Sequence, residues 1–326
     1  MRMQPAITDL YFKADVNTQG DSRCYIDTAK ELSKVNRRLY SQSRMYGYQG
    51  LTFIWKAQAA TPDPGAQTLT TIEVTVATAG NSWIVHNAHV KGHALWNQMQ
   101  DLVLDDNPSV KGKWHDFKIV LVDSHSQTNQ LAARDGAGNL YAEGEWNYST
   151  YVMPQHEVDP ADGMPLAAVD FEATLIGPDL GTAGKRSLVK AYQDSRATVQ
   201  ADMPNVPAAF TDSFFNLLTD SGSQEPELAT VIEAENDNPP YSLEDYPGAE
   251  TNAPEPVVVQ YGAISQSEVD GRLGGFVAPC GLLEVTIKGY DENGLEFPRA
   301  NMPVIDLLLH VAPGSYKGTA AIPMGQ

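Results

Sequence analysis

Several things are scarce in this chain of 326 residues, and each scarcity narrows the reading. No stretch of about 18 apolar residues occurs, which excludes a transmembrane helix. The opening MRMQPAITDLYF has no apolar run after its basic residue, so nothing resembles a signal peptide. The expectation is a protein made in the interior of a cell and not secreted by such a signal. Cys24 and Cys280 are the only cysteines. Two cannot make a disulfide framework, and two free thiols in a reducing compartment are expected. Catalytic motifs are missing as well: there is no HExxH and no Gly-x-Ser-x-Gly. Gly271–Gly275 (GRLGG) lacks the Lys-Ser/Thr of a phosphate-binding loop. Positive charge is short too. The net charge is -19, and no Lys or Arg occurs between Arg196 and Arg272. Such a chain does not bind DNA by bulk charge, so only a local patch could.

What is present alternates. Leu10, Phe12, Ala14 and Val16 alternate with polar residues, as do Leu51, Phe53 and Trp55, and Ile72, Val74 and Val76. The same period of two runs through 169–176 and 282–288, and 257–261 and 303–311 are expected to close the chain as strands. Further strands are expected at 114–122 and 145–153. Against this stands one long helix, expected at 83–104. Val85, Ala88, Gly92, Leu95, Met99 and Leu102 recur at steps of three and four, with Asn81 or Ser82 to cap the start and Asp105-Asp106-Asn107-Pro108 to stop it. A short helix is expected within 25–38, where Asp27-Thr28 offers a cap. Residues 186–199 and 208–219 have helical spacing, and 236–256 is rich in Pro and acid.

The fold class expected is mainly β: a single antiparallel jelly-roll sandwich with one long helix and a large helical, acidic insertion. Residues 1–179 and 257–326 would build the sandwich, and 180–256 would be a surface insertion. A double jelly roll, the alternative, needs roughly sixteen strands, more than the eight to ten that are clear.

His86, His89 and His93 fall on one line of the long helix. Such spacing can bind zinc if a further ligand completes the site, but no Glu lies between them and the cysteines are distant in sequence. A polar helix edge against a loop or another subunit is the expected use, and no metal site is assigned. Asp123-Ser124-His125 is read as a turn after a strand rather than a triad. Glu143 with Glu145, and Asp170 with Glu172, share strand faces. Glycosidase chemistry needs paired carboxylates, but the wet side of a strand explains these. Asp105-Asp106-Asn107, 233–237 and Asp291-Glu292-Asn293-Gly294 are oxygen-rich loops of the kind calcium uses between subunits, without EF-hand spacing. Arg37-Arg38-Leu39-Tyr40 and Arg44-Met45-Tyr46 mix cations with aromatics, which suits phosphates and stacked bases.

An ordered set of short segments resembles coat proteins of small circular single-stranded DNA viruses. They are Val35-Asn36-Arg37-Arg38-Leu39-Tyr40, the segment Gly80 to Trp96, Trp114-His115-Asp116-Phe117-Lys118-Ile119 and Gly144-Glu145-Trp146. They continue with Asn236 to Tyr241, Asp245-Tyr246-Pro247-Gly248, Thr251-Asn252-Ala253-Pro254, Pro279-Cys280-Gly281-Leu282 and His310 to Gly314, and span roughly residues 35–314. The resemblance implies a jelly-roll subunit, with no catalytic residues, that self-assembles into an icosahedral shell around a single-stranded DNA genome in a virion. Arg37, Arg38 and Arg44 become the candidate nucleic-acid contacts. His86, His89, His93, Tyr241 and Tyr246 become candidate subunit contacts, with calcium there as an option, and other virion proteins as further partners. One departure is that many such proteins begin with an Arg/Lys-rich arm and this chain does not. Genome charge would then be balanced by other proteins, polyamines or metal ions, or by the patch near Arg37. The shell could also enclose a membrane. A lectin-like sandwich is the alternative, with Trp83, Trp146 or Tyr148 over a sugar groove.

Overall fold

The computed structural model of the chain describes residues 5–17, 21–55, 68–110, 115–127, 129–153, 169–177, 185–197 and 255–325. Among these the protein is mainly β, with antiparallel sheets and four α-helices. The first half contains β1 (Asp9–Ala14), β2 (Arg23–Asp27), α1 (Thr28–Asn36), β3 (Arg44–Ile54), β4 (Leu69–Thr78) and α2 (Trp83–Asp106). Then come α3 (Asp123–Gln127), β5 (Thr150–Met153), β6 (Val169–Thr174), β7 (Arg186–Ser187) and α4 (Leu188–Ala197). The last part contains β8 (Val257–Ser265), β9 (Asp270–Leu273), β10 (Phe276–Ala278), β11 (Leu282–Asp291) and β12 (Ile305–Val311). It ends with β13 (Pro313–Gly314), β14 (Gly318–Thr319) and β15 (Ala321–Pro323).

Two sheets share one core. In the first the order is β1-β12-β3-β10, with β9 and β15 also paired to β3. In the second it is β2-β11-β4-β8. The alternation in sequence is the alternation in space: Leu10, Phe12 and Ala14 of β1 meet Ile305, Leu307 and Leu309 of β12, and all are buried. From the second sheet Ile72, Val74, Val76, Leu283, Val285 and Ile287 enter the same core. Each such side chain removed from water contributes about 1.5–3 kcal/mol.

A second apolar core lies under α2. Ile84, Val85, Ala88, Leu95 and Trp96 pack with Phe117, Ile119, Tyr151, Phe171, Leu188 and Val189. The small sheet β5-β6-β7 and α4 supply much of it. The start of the 180–256 stretch therefore belongs to this packed body. Residues 208–219 and 236–254 lie outside the described residues.

Three expectations need correction. The segment 115–122 is extended but is not a strand; it makes a single parallel bridge, Val120 to Thr174. The N–H groups of Lys118, Ile119 and Leu121 go to side chains, and the Gln42 amide bonds both polar atoms of Ile119, while the carbonyls of Lys118, Val120 and Leu121 accept from backbone N–H groups. The strand expected at 145–153 begins only at Thr150. Leu102, expected on the buried face of the long helix, is 69% exposed, because the last turns of α2 run past the core.

Candidate functional site

The site begins at a buried carboxylate. Asp27 caps α1, its side chain accepting from the Lys30 N–H at 3.1 Å, as its place before the helix predicts. Its other oxygen accepts from Gln42 Nε2 and Trp146 Nε1, each at 3.0 Å. Burial pushes its pKa up to about 7, against the pull of those donors and of Lys30. Asp116 accepts from Ser41 Oγ and from the Gln42 N–H, both at 3.0 Å. Together these bonds fix the loop 37–43 that leaves α1. That loop starts with Arg37 in the left-handed region, at φ 54°.

This loop meets the C-terminal hairpin β13–β14. Tyr316 Oη accepts from the Ser41 N–H at 2.9 Å, and Tyr40 Oη donates to the Lys317 carbonyl at 2.9 Å. The Arg44 guanidinium lies 3.7 Å from the Tyr316 ring centroid, and the Lys317 ammonium 5.2 Å from it. Lys317 Nζ donates to the Leu39 carbonyl, Arg44 to the Ala321 carbonyl and Arg38 to the Lys317 carbonyl. Arg37, next to Arg38 in the chain, is exposed and lines a concavity with Leu39, Lys34 and Glu143. The hairpin thus links the candidate cations Arg38 and Arg44. Tyr316 and Lys317, which the sequence reading did not single out, complete the patch. Tyr40 and Tyr46, expected as stacking platforms, are fully buried and unavailable to bases. Next to the patch, Lys34 pairs with Glu31 and Glu143, and Lys30 with Glu143. The Glu143 carboxylate is thereby held below the usual range.

The three histidines of α2 face different surroundings. His89 is 1% exposed, against Phe117 and His93, and neither ring nitrogen has a hydrogen-bond partner. Burial holds it neutral, with its pKa lowered to about 3. As a candidate surface contact His89 is therefore corrected: it is a core residue. His93 is half-buried, stacked on Phe117 at 5.2 Å. His86 bonds Asn81 Oδ1 at 2.8 Å and accepts from the Gly325 N–H at 3.1 Å. Among the described residues no group of three His, Cys, Asp or Glu could hold a metal ion. Tyr241 and Tyr246 lie outside the described residues.

The other candidates are dispersed. His125 Nδ1 accepts from the Leu121 N–H and its ring stacks on Tyr25, while Ser124 bonds Tyr25 Oη at 2.6 Å. Asp123, Ser124 and His125 form the short α3, and no hydrogen bond joins the serine to the imidazole. Glu172 is paired with Lys185 at 3.1 Å. Trp146 is spent on Asp27, and Trp83 packs edge-on against Tyr192 of α4. Asp291 caps its own turn, accepting from the Asn293 and Leu295 N–H groups. No helix among the described residues is long and apolar enough to cross a membrane. No protein-family model, curated protein or solved structure matches the chain.

Proposed function

We propose that the chain is a jelly-roll coat subunit that assembles with copies of itself into an icosahedral shell around a single-stranded DNA genome. The observation that carries this is the interleaving of the strands. The links from β1 to β2, β2 to β3 and β3 to β4 each change sheet, and so do β8 to β9, β10 to β11 and β11 to β12. The six-stranded sheet, with β1-β12-β3 followed by β9 and β10 and with β15 also on β3, and the four-stranded sheet β2-β11-β4-β8 have the strand order expected of two Greek keys wound together. The long excursion between β4 and β8 supplies α2 and α4 outside the two sheets, where copies can meet. Apolar side chains left outside support such contacts: Leu102 and Val103 on α2, and Val258 and Tyr261 on the edge strand β8, are all more than half exposed. His86, His93, Tyr241 and Tyr246 stay proposed as subunit contacts, calcium between copies as an accessory, and the virion as the place of action. Other virion proteins, and a membrane beneath the shell, are further proposed partners.

The test is the particle state of the purified protein, by light scattering after size exclusion and by negative-stain electron microscopy. The expected result is uniform shells. A stable monomer at every salt and calcium concentration overturns the reading and leaves a lectin-like module.

A further inference from the structure

We infer that Arg37, Arg38, Arg44 and Lys317 form a phosphate clamp that grips the backbone of single-stranded nucleic acid and leaves its bases unread. The inference deepens the coat reading above and rests on it for the identity of the ligand.

Three observations carry it. First, the cations are not neutralised. Lys30 and Lys34, a few residues away, are both paired with carboxylates. Among the described residues no carboxylate lies within ion-pair distance of the four, although the protein carries a net charge of -19. Among the described residues these cations, like Lys13 and Arg134 beside Gly138, have no carboxylate partner, which leaves them open to an anion from outside.

Second, three of the four are pre-set. Arg44 lies flat on Tyr316, which is itself anchored to Ser41, and Lys317 and Arg38 are tied to backbone carbonyls. Guanidinium groups fixed in this way lose little freedom when they meet phosphate oxygens, for which their planar fork is suited.

Third, the rings are taken. Tyr40 and Tyr46 are buried and Tyr316 carries Arg44, so a base could stack only by displacing a cation. The remaining contact is to phosphate, which carries no sequence information. The nearest carboxylates are already engaged, Glu143 with Lys30 and Lys34 and Asp116 with Ser41 and the Gln42 N–H, and at about 0.1 M salt charges more than ~10 Å away are largely screened. A flexible single strand can lay successive phosphates on so small a patch.

The test is fluorescence anisotropy with labelled oligo-dT and oligo-dA and the full chain across a salt series, with inorganic phosphate and polyglutamate as competitors. The two oligonucleotides should bind alike. Four contacts at ~0.7 each give a slope of log K on log salt near about -3. Arg37→Gln with Lys317→Gln should weaken both oligonucleotides alike and reduce that slope by about 1.4. Thermal melting that matches the parent keeps this variant informative; if it unfolds, Lys317→Gln alone serves, with a change of about 0.7. The inference is overturned by unchanged affinity in a folded variant, by strong preference for one oligonucleotide, or by displacement by inorganic phosphate at millimolar level. Tighter binding of polyglutamate than of DNA also overturns it and marks an acidic protein as the partner. A chain that binds but never assembles loses the coat reading and keeps the clamp. A chain that assembles but binds no oligonucleotide does the reverse.

Discussion

The side chain of Gln42 pairs with the backbone of Ile119 as a neighbouring strand would. Its Nε2 donates to the Ile119 carbonyl at 2.8 Å, and its Oε1 accepts from the Ile119 N–H at 2.6 Å. The same Nε2 also reaches Asp27. One buried amide therefore joins the first turn of α1 to the segment that closes the second core.

Gln42→Leu should cost about 2–4 kcal/mol, since it strands two backbone groups of Ile119 and removes one donor from Asp27. Urea denaturation measures this. A loss below about 0.5 kcal/mol would mean that the pairing is dispensable.

Stability should fall with acidification, and His89 should be one cause. His89 and His125 stay neutral in the folded chain down to about pH 3, whereas unfolded they protonate near 6.5. Their contribution is full above pH 6.5 and is lost as pH falls towards 3, at ~1.4 kcal/mol per pH unit for each. Asp27 acts in the opposite sense. Its carboxyl titrates near 7 when folded and near 3.8 when unfolded, so its contribution is full below 3.8 and is lost as pH rises through 7. Glu31 and Glu284, raised by burial, act in the direction of Asp27. His89→Phe should flatten the acid limb by ~1.4 kcal/mol per unit, and Asp27→Asn should remove part of the loss between pH 4 and 7. Unfolding free energies measured at a series of pH values decide both.

Gly92 is where α2 touches α4 and β5. A Cβ there would come within 2.8 Å of Leu188 Cδ2 and 3.2 Å of the Tyr151 hydroxyl, which donates to the Gly92 carbonyl. Alanine gains up to about 1 kcal/mol of helix propensity, and overpacking costs about 1–3. Gly92→Ala should therefore destabilise by about 1 kcal/mol in thermal or chemical denaturation, while an exposed glycine in the same helix would have gained.

Cys24 and Cys280 are both free and fully buried, one in each core. Burial raises the Cys24 thiol to about 12. Neither should react with Ellman's reagent in the native protein, and both should react once it is unfolded. Rapid modification of the folded chain would contradict this placement.

The parts of the fold that were legible are those with one wet face. β1, β4 and β11 alternate over most of their length, so their period named them. β2 was missed because Cys24, Tyr25, Ile26 and Asp27 are buried on both faces, leaving no alternation, and the helix cap beside it absorbed the signal. The segment 115–122 misled for the converse reason: its run of buried residues looks like a strand, but its N–H groups at Lys118, Ile119 and Leu121 go to side chains and it makes a single bridge rather than a ladder. In α2 the period aligned the three histidines without telling which one enters the core. For the patch, Arg37, Arg38 and Arg44 were visible because they are local. Lys317 and Tyr316 reach them across more than 270 residues of chain, and no pattern around them announces it.

Each of β1 to β4 finds its strand partners only after residue 256. β1 pairs with β12, β2 with β11, β3 with β9, β10, β12 and β15, and β4 with β8 and β11. On a ribosome, then, β1 to β4 emerge as unpaired edges and wait for more than half of the chain to be made. Closing contacts so far apart is slow, and strands that wait are open to wrong partners. The same delay works as a clock: neither sheet can be completed before β8 to β12 have been made.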